Sequence, residues 1–384
     1  MKHSLFLMIL LLSLSCTSRS QAKRDSIIDT LSDSLSATDS IPPTDTLRLL
    51  FVGDLMQHQG QINVARTSTG YDYSTCFTYV KEEIGRADLA IANLEVTLGG
   101  KPYKGYPAFS APDEFLTAIH DAGFNVLVTA NNHSLDRGKS GLERTIQLID
   151  SLKIPHAGTY INTEERDKKY PLLLEKNGFR IALLNYTYGT NGIAVTPPNI
   201  VNYIDTAIIA KDIEVSKTLH PDAIIACMHW GIEYQSLPDK EQKFLTDWLL
   251  RKGVNHIIGC HPHVVQPIEV REDSLTNGKH LVVYSLGNYI SNMSARRTDG
   301  GLMVKMELVK DSTTRLNHCE YSLVWTARPA QSGKKNHQLL PINFPTDSIS
   351  VNARNSLRIF ANDARSLFSK HNRGIKEYLF YKKK

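Results

Sequence analysis

Five short, nearly continuous apolar runs in this chain each end in side chains that bind metals or move protons. Residues 49–52 run into Asp54, 89–92 into Asn93 and Glu95, and 126–130 into Asn131, Asn132 and His133. Residues 223–228 run into His229, and 257–259 into His261 and His263. Runs of this length, rich in β-branched residues, predict strands covered on both faces in a mostly parallel sheet. Ligands of such sheets bind in the crevice beyond the carboxyl ends of the strands, so all five endings are expected on one edge. Core packing explains one such ending, but not five built from Asp, Glu, Asn and His. The pattern implies a metal site of hydrolytic type.

Between these strands the apolar spacing becomes helical. Pro112, Asp113 and Glu114 open a segment that closes at Gly123, with Pro and acids in the first turn and Gly past the end. Residues 140–152, 208–219 and 240–250 are further helices. Strand, helix and strand in repetition predict an α/β architecture with right-handed crossovers. Later runs lack crossover helices. Residues 171–174 and 179–186, joined by Lys176-Asn177-Gly178, read as a hairpin. Residues 281–286, 302–309 and 321–327 read as strands of a second, more antiparallel layer. Leu357, Phe360, Ala364 and Phe368 share one face of a C-terminal helix at 350–368, expected on the outside.

The N-terminus places Lys2 and His3 before an apolar run at 5–12 and then Ser13-Leu14-Ser15-Cys16, the layout of a secretory signal peptide. That run is too short to span a membrane. Cys16 after a small residue resembles a lipobox, with cleavage before Cys16 and lipid attached to it, although Ser13 stands where Leu is usual. A plain cleaved signal peptide is the alternative, and either way the mature chain is expected outside the cytoplasm. Residues 17–46 are rich in Ser, Thr and Asp and nearly free of aromatic residues, so they predict a flexible tether.

From Leu47 onward the chain is long enough for one sizeable core with a smaller attachment. At 41% hydrophobic and 22% charged residues, the composition is that of a globular protein. The net charge of +5 has its clearest block at Lys382-Lys383-Lys384 and no basic stripe interleaved with aromatic residues, so nucleic acid is not an expected partner. Cys76, Cys227, Cys260 and Cys319 match no zinc-ribbon spacing; buried thiols are expected, with a disulfide between Cys227 and Cys260 left open.

Asp54 offers a carboxylate to a divalent cation, with Gly53 expected to allow a tight turn beneath it, or else caps a helix. Glu95 can reach across the crevice or bridge two ions. Asn132 offers a weak neutral ligand, and the adjacent His133 can protonate a leaving group. Glu233, four residues after His229, is placed either to orient that imidazole or to contact substrate. In His261-Pro262-His263 the proline is expected to hold an extended segment with both imidazoles on one side. Gly287 and Asn288 could present amides to substrate oxyanions. The segment 99–106, with Lys and Tyr, could form a flap or an ordinary turn. His58 is the one other histidine near a motif; the rest, His256 and His337 among them, are expected at the surface or core edge.

Together, Gly53-Asp54-Leu55-Met56, Asn93-Leu94-Glu95, Asn131-Asn132-His133 with Asp136 and Gly138, His229-Trp230-Gly231-Ile232-Glu233, His261-Pro262-His263 and Tyr284-Ser285-Leu286-Gly287-Asn288 resemble the CapA-type poly-γ-glutamate capsule-synthesis family. The resemblance runs from about Leu47 to Met306. That family is similar to calcineurin-like metallophosphoesterases, which implies an α/β sandwich of two mixed β-sheets flanked by helices. It also implies that Asp54, Glu95 and His263 hold one ion and that Glu95, Asn132, His229 and His261 hold the other. His133 would be the general acid, and water activated by the metals the nucleophile. Zn²⁺, Mn²⁺ and Fe all suit such mixed ligands.

Metallophosphoesterases carry Asp-x-His at the first strand, whereas this chain has Met56, leaving one position short of an imidazole unless His58 or water completes it. The expected organisation is a signal segment at 1–16, a tether at 17–46, the metallophosphoesterase-like domain at 47–310 and a strand-and-helix extension at 311–384 packed on it. The expected function is that of a lipid-anchored, cell-envelope protein of capsule biosynthesis, held to the membrane through Cys16. It would be a metal-dependent hydrolase of a phosphoester or γ-glutamyl bond, meeting an anionic surface polymer or its synthesis machinery. The alternatives are a non-catalytic assembly or export factor and a polyanion-binding module.

Overall fold

The computed structural model describes residues 45–273 and 278–381. The signal segment with Cys16, residues 17–44 of the tether and Lys382–Lys384 lie outside the described residues. In chain order the strands are β1 (Asp45–Leu55), β2 (Leu89–Leu94), β3 (Val126–Val128), β4 (His156–Ala157), β5 (Thr159–Tyr160), β6 (Leu172–Lys176), β7 (Phe179–Thr187) and β8 (Ile200–Val201). They continue as β9 (Ala223–His229), β10 (His256–Cys260), β11 (Ile268–Glu272), β12 (Lys279–Val283), β13 (Asn288–Ile290), β14 (Gly300–Lys310), β15 (Thr314–Ala327), β16 (Gln338–Pro341) and β17 (Lys376–Glu377).

One sheet has the order β16-β15-β14-β1-β2-β3-β4, with β13 beside β1 and β17 beside β15. The other runs β11-β12-β10-β9-β7-β6, and β5 pairs separately with β8. The architecture is the α/β sandwich of two mixed sheets expected from the sequence. In both sheets the central strands are parallel: β1 to β4 in the first, and β7, β9, β10 and β12 in the second. Antiparallel strands continue the first sheet beyond β1 and flank the second on both sides.

The expectation of a separate antiparallel layer is therefore corrected. β14 pairs antiparallel with β1, and β15 and β16 extend that sheet, while β12 joins the second sheet through β10. Strand type was readable from composition, but sheet membership depends on partners far away in sequence.

The near-continuous apolar runs follow from burial on both faces. In β1, Leu47, Leu49 and Phe51 point into the core between the sheets, while Leu50 and Val52 join a second core on the outer face. In β9, Ala223, Ile225 and Cys227 face the inter-sheet core, and Ile224, Ala226 and Met228 face outward, where Leu245 and Leu249 of the helix Lys240–Lys252 and Ile209 and Ile213 of the helix Thr206–Thr218 cover them. Each leucine, isoleucine, valine, phenylalanine or methionine among them contributes about 1.5–3 kcal/mol of hydrophobic burial. Cys227 and Cys260 are free thiols in the inter-sheet core, and burial pushes the Cys227 thiol up to about 12.

Local signals fix the connections. Asn177 and Gly178 both have positive φ, 49° and 77°, as a two-residue hairpin turn between β6 and β7 requires. Asp205 caps the helix Thr206–Thr218, and Asp239 with Gln242 forms a capping box on Lys240–Lys252, which ends at Gly253 in the left-handed conformation. The C-terminal helix Val351–His371 is not an outer decoration. Its buried residues Ala353, Leu357, Phe360 and Phe368 join the inter-sheet core. His256 and His337 are buried as well, contrary to the expected placement at the surface or core edge; His256 Nδ1 accepts the Leu281 N–H, and His337 Nε2 lies 2.8 Å from Asn292 Oδ1.

Candidate metal centre

The carboxyl ends of β1, β2, β7, β9 and β10 meet where the two sheets approach one another. At the end of β1 the pairing with β2 slips by one residue: Val52 faces Ala92, but Asp54 faces Asn93, so Gly53 is the extra residue of a bulge. Its lack of a side chain serves a close approach more than a turn. A Cβ at Gly53 would stand 1.9 Å from the Gly287 carbonyl oxygen, which accepts the Asp54 N–H at 3.1 Å.

Two groups of potential ligands result, with donor atoms within 4.8 Å of one another in each: Asp54, Glu95 and His263, and Glu95, His229 and His261. Glu95 is common to both. Every one of these residues is buried, and Asp54 and Glu95 are 0% exposed. Asn132 joins the second group, its Oδ1 lying 2.7 Å from His229 Nε2. The groups coincide with the ligand sets that the family resemblance implied.

The hydrogen bonding beneath the site leaves selected atoms free. Asn93 Nδ2 donates to Asp54 Oδ1 at 2.8 Å and lies 3.3 Å from His229 Nδ1. Asn131 Nδ2 in turn donates to Asn93 Oδ1 and to the Leu94 carbonyl. Asn288 Oδ1 lies 3.1 Å from His263 Nδ1. Asp54 Oδ2, Glu95 Oε1 and His261 Nδ1 are buried with no hydrogen-bond partner of good geometry. Buried polar atoms are normally satisfied, so three orphans among five clustered residues fit a site built for cations.

The electrostatics agree. Burial and the neighbouring Asp54 charge push the Glu95 carboxyl well above its usual range. Burial also raises the Asp54 carboxyl, but hydrogen bonding and charge from His263, with the charge of His229, outweigh it and hold that group low. Burial and the adjacent His261 push His229 far down, and burial with His263 lowers His261 to about 3. Neutral imidazoles are what a metal needs as ligands.

Several expectations are corrected. The His261-Pro262-His263 segment is turned, not extended: His261 has φ 101° and His263 φ 58°. Such conformations cost ~1–3 kcal/mol each in non-glycine residues, and here they send the two imidazoles into different ligand groups. Gly287 and Asn288 are buried, with the amides expected for oxyanions already engaged. The Gly287 N–H donates to Ser285 Oγ, and Asn288 spends its amide on the Thr298 carbonyl and its oxygen on His263.

Glu233 does not orient His229, whose ring nitrogens are engaged by Asn93 and Asn132; it is exposed on the loop after β9. His58 belongs to neither ligand group. It stands at the start of the helix Gln59–Ala65, with Nδ1 accepting the Asn292 N–H at 3.3 Å, and burial lowers it to about 4. Met56 packs in the outer apolar core.

His133 stands beside the second group. Its Nδ1 is 2.7 Å from Asp136 Oδ2, which also accepts the Phe109 N–H, and the Phe109 ring packs edge-on 4.6 Å from the imidazole. Residues of the loop after β7 were missed from sequence. Asn191, with φ 50°, accepts from Asn132 Nδ2 and reaches His133 Nδ1 at 3.5 Å, while the Tyr188 ring lies 4.5 Å from that of His261. Asn191-Gly192 reads locally as an ordinary turn, so nothing in the sequence pointed it at the site. Two cavities of about 490 and 480 Å³ flank Glu83 and Arg86 and are lined by none of these residues.

Residues 48–293 match the profile of a protein family described as "Bacterial capsule synthesis protein PGA_cap". The chain belongs to this family. The PGA_cap match runs from β1 through β13 and includes all of Asp54, Glu95, Asn132, His133, His229, Glu233, His261 and His263. Among relatives, the "Capsule biosynthesis protein CapA" of Bacillus anthracis is 28% identical over 288 residues, 71% of this chain and 66% of that protein. The "PGA biosynthesis protein CapA" of Bacillus subtilis (strain 168) is 30% identical over 281 residues, 71% of this chain and 70% of that protein. Among solved structures, the NAD nucleotidase NadN of Haemophilus influenzae aligns with a TM-score of 0.47 at 12% identity, covering 88% of this chain and 65% of its own. The calcineurin-like phosphoesterase YfkN of Bacillus subtilis aligns at 0.44 and 13%, covering 84% and 99%. Those scores are too low for the likeness to bear on activity. The PGA_cap segment ends at Met293, and the residues beyond it supply β14 to β17 and the C-terminal helix.

Proposed function

We propose that this PGA_cap protein is a metal-dependent hydrolase of cell-envelope polymer biosynthesis, lipid-anchored through Cys16 outside the cytoplasm and acting on a phosphoester or γ-glutamyl bond. The observation that carries the reading is the pair of buried ligand groups sharing Glu95, with Glu95 Oε1 and His261 Nδ1 left without a hydrogen bond and Asp54 Oδ2 facing only His263 Nδ1 at 3.3 Å. Asp54, Glu95 and His263 would hold one divalent ion, and Glu95, Asn132, His229 and His261 a second, with Zn²⁺, Mn²⁺ or Fe suited to the mixed donors. Bound there, the metals would supply a water ionised near neutral pH and positive charge opposite the scissile bond.

The chain's own residues do the rest. Asn93 and Asn288 hold the rings of His229 and His263 from behind. Asp136 holds His133 through Nδ1 and leaves its Nε2 to give a proton to the leaving group. Phe109 walls the imidazole on one side. The signal-like segment ending at Cys16 and the tether after it suit a domain held off a membrane. No helix among the described residues is long and apolar enough to cross one.

A second reading, a non-catalytic assembly factor, is favoured by one observation. Among the described residues the Asp54 group has three candidate ligands, and Met56, which stands at the imidazole position of the Asp-x-His motif, packs in the outer apolar core instead. Elemental analysis of the purified full chain decides between them, followed by assays on phosphoesters and γ-glutamyl peptides. The hydrolase reading expects close to two ions, loss of metal in an Asp54→Ala, His263→Ala double variant, and loss of turnover with retention of metal in His133→Ala. A chain that takes up no Zn²⁺ or Mn²⁺ on reconstitution sinks it.

A further inference from the structure

Among the described residues, twelve large apolar side chains are exposed, and half of them stand on the loops that follow three site strands. Tyr106 follows β2, Tyr188 and Ile193 follow β7, and Ile232, Tyr234 and Leu237 follow β9. All three tyrosines of the set belong to this group, at 73%, 48% and 53% exposure respectively. Scattered exposed apolar side chains need no explanation, but a concentration around a functional centre does.

Each tyrosine is tied to a different part of the centre. The Tyr188 ring lies 4.5 Å from that of His261 and is stacked at 10° on that of His229, 6.3 Å away; its N–H donates to the His229 carbonyl. Tyr234 lies 6.1 Å from His263, and its N–H donates to the Pro262 carbonyl at 2.8 Å. Tyr106 packs 6.4 Å from Phe109, the ring against His133. Tyr234 has φ 66°, so its backbone is held in a left-handed conformation beside the similarly held His261 and His263. Strain of this kind collects at positions fixed for a ligand.

From this collar we infer that the substrate carries pyranose rings beside the bond to be cut, so that a saccharide phosphoester, and not a polyglutamate, is what the centre takes. The inference rests on the hydrolase reading and selects between its two bond types. Tyrosine faces stack on the C–H faces of sugar rings, and tyrosine hydroxyls with the exposed Glu233 carboxylate are partners for sugar hydroxyls. A polyanion asks for the reverse surface, with lysine and arginine presented at the mouth; the loops after β7 and β9 carry neither, and the exposed Lys101 and Lys104 stand only on the segment of Tyr106. Arg297, next to the loop after β9, is already committed to Ser236 Oγ and the Asp363 carboxylate.

Calorimetric titration of the full chain with chitotetraose and, separately, with a linear γ-glutamyl oligomer tests the assignment. Chitotetraose is expected to bind, and to bind about tenfold more weakly in a Tyr188→Ala, Tyr234→Ala variant and in Tyr106→Ala, which lies further from the ligands. The corresponding Tyr→Phe variants keep the stacking faces and are expected to stay within about threefold of the parent. Metal content is measured on each variant, so that disruption of the centre is seen directly. The proposal is overturned if the parent ignores chitotetraose, if the alanine variants bind it equally, or if only the γ-glutamyl oligomer binds. Tyrosine-dependent pelleting with phosphatidylglycerol vesicles, without sugar binding, makes the collar a membrane surface and overturns it too. A chain that holds metal and cleaves a non-sugar phosphoester while ignoring chitotetraose loses the collar alone. One that binds the sugar through its tyrosines but takes up no metal loses the hydrolase alone.

Discussion

Among the described residues two glutamates are almost fully buried, and their surroundings are opposite. Glu83 is enclosed by cations: Arg86 Nη1 donates to it at 2.9 Å, Lys305 pairs with its other oxygen, and the Lys305 ammonium lies 4.0 Å over the Tyr378 ring. Glu95 has no lysine or arginine paired with it. Its Oε1 stands 3.7 Å from His229 and 4.0 Å from His263, beside the carboxylate of Asp54. A buried charge is costly unless paired. The Glu83 cluster meets that cost within the chain, whereas Glu95 is left beside a second carboxylate, the setting that the proposed metal centre needs.

The sharpest way to break this contrast is to delete the shared ligand. Glu95→Ala is expected to lose both ions by elemental analysis and to lower turnover about a thousandfold, the equivalent of roughly 4 kcal/mol in the barrier. Retention of a full metal complement would mean that Glu95 bridges nothing.

Stability separates the two acids further. Glu83→Gln leaves Lys305 and Arg86 without their shared carboxylate and is expected to cost about 2–3 kcal/mol in urea denaturation, at the lower end for a broken pair because both cations are partly exposed. Glu95→Gln in chelator-treated protein removes a like-charge neighbour of Asp54 and offers an amide donor to the orphaned Asp54 Oδ2. Its expected effect is under about 1 kcal/mol. Equal losses in the two variants would erase the distinction between a structural and a functional buried acid.

The sequence exposes the Glu95 side of this comparison far better than the Glu83 side. Asp54, Glu95, His229, His261 and His263 are readable because strands buried on both faces leave long apolar runs whose polar endings stand out. Glu83 and Lys305 meet only through the packing of β14 beside β1, a pairing of strands about 250 residues apart in the chain that no local pattern announces. The same limit explains the misassigned layer of β14, β15 and β16. Local turn chemistry, by contrast, was legible at Asn177-Gly178. Pro262 misled, because a proline argues for extension, whereas convergence on the centre holds His261 and His263 in left-handed conformations. Tyr188 and Asn191 were unreadable for a related reason: an Asn-Gly turn has the same local signature whether or not it folds over a site.

The smallest expected effect extends the comparison to histidines buried away from both clusters. Burial, with the charge of His280, lowers His256 from 6.5 to about 3, and its Nδ1 accepts the Leu281 N–H at 3.0 Å. Burial also lowers His337 to about 4. A folded-state pKa below the unfolded value means that the unfolded chain binds protons first as pH falls. Stability is therefore intact above pH 6.5 and declines as pH drops toward 4, by up to about 1.4 kcal/mol per pH unit for each histidine. In chelator-treated protein, His256→Asn keeps an acceptor for the Leu281 amide and removes one titrating group. Its urea midpoint is expected to fall less steeply than the parent's over that window, with the two profiles parallel above it. Parallel profiles throughout would mean that His256 takes up its proton as readily in the folded chain as in the unfolded one.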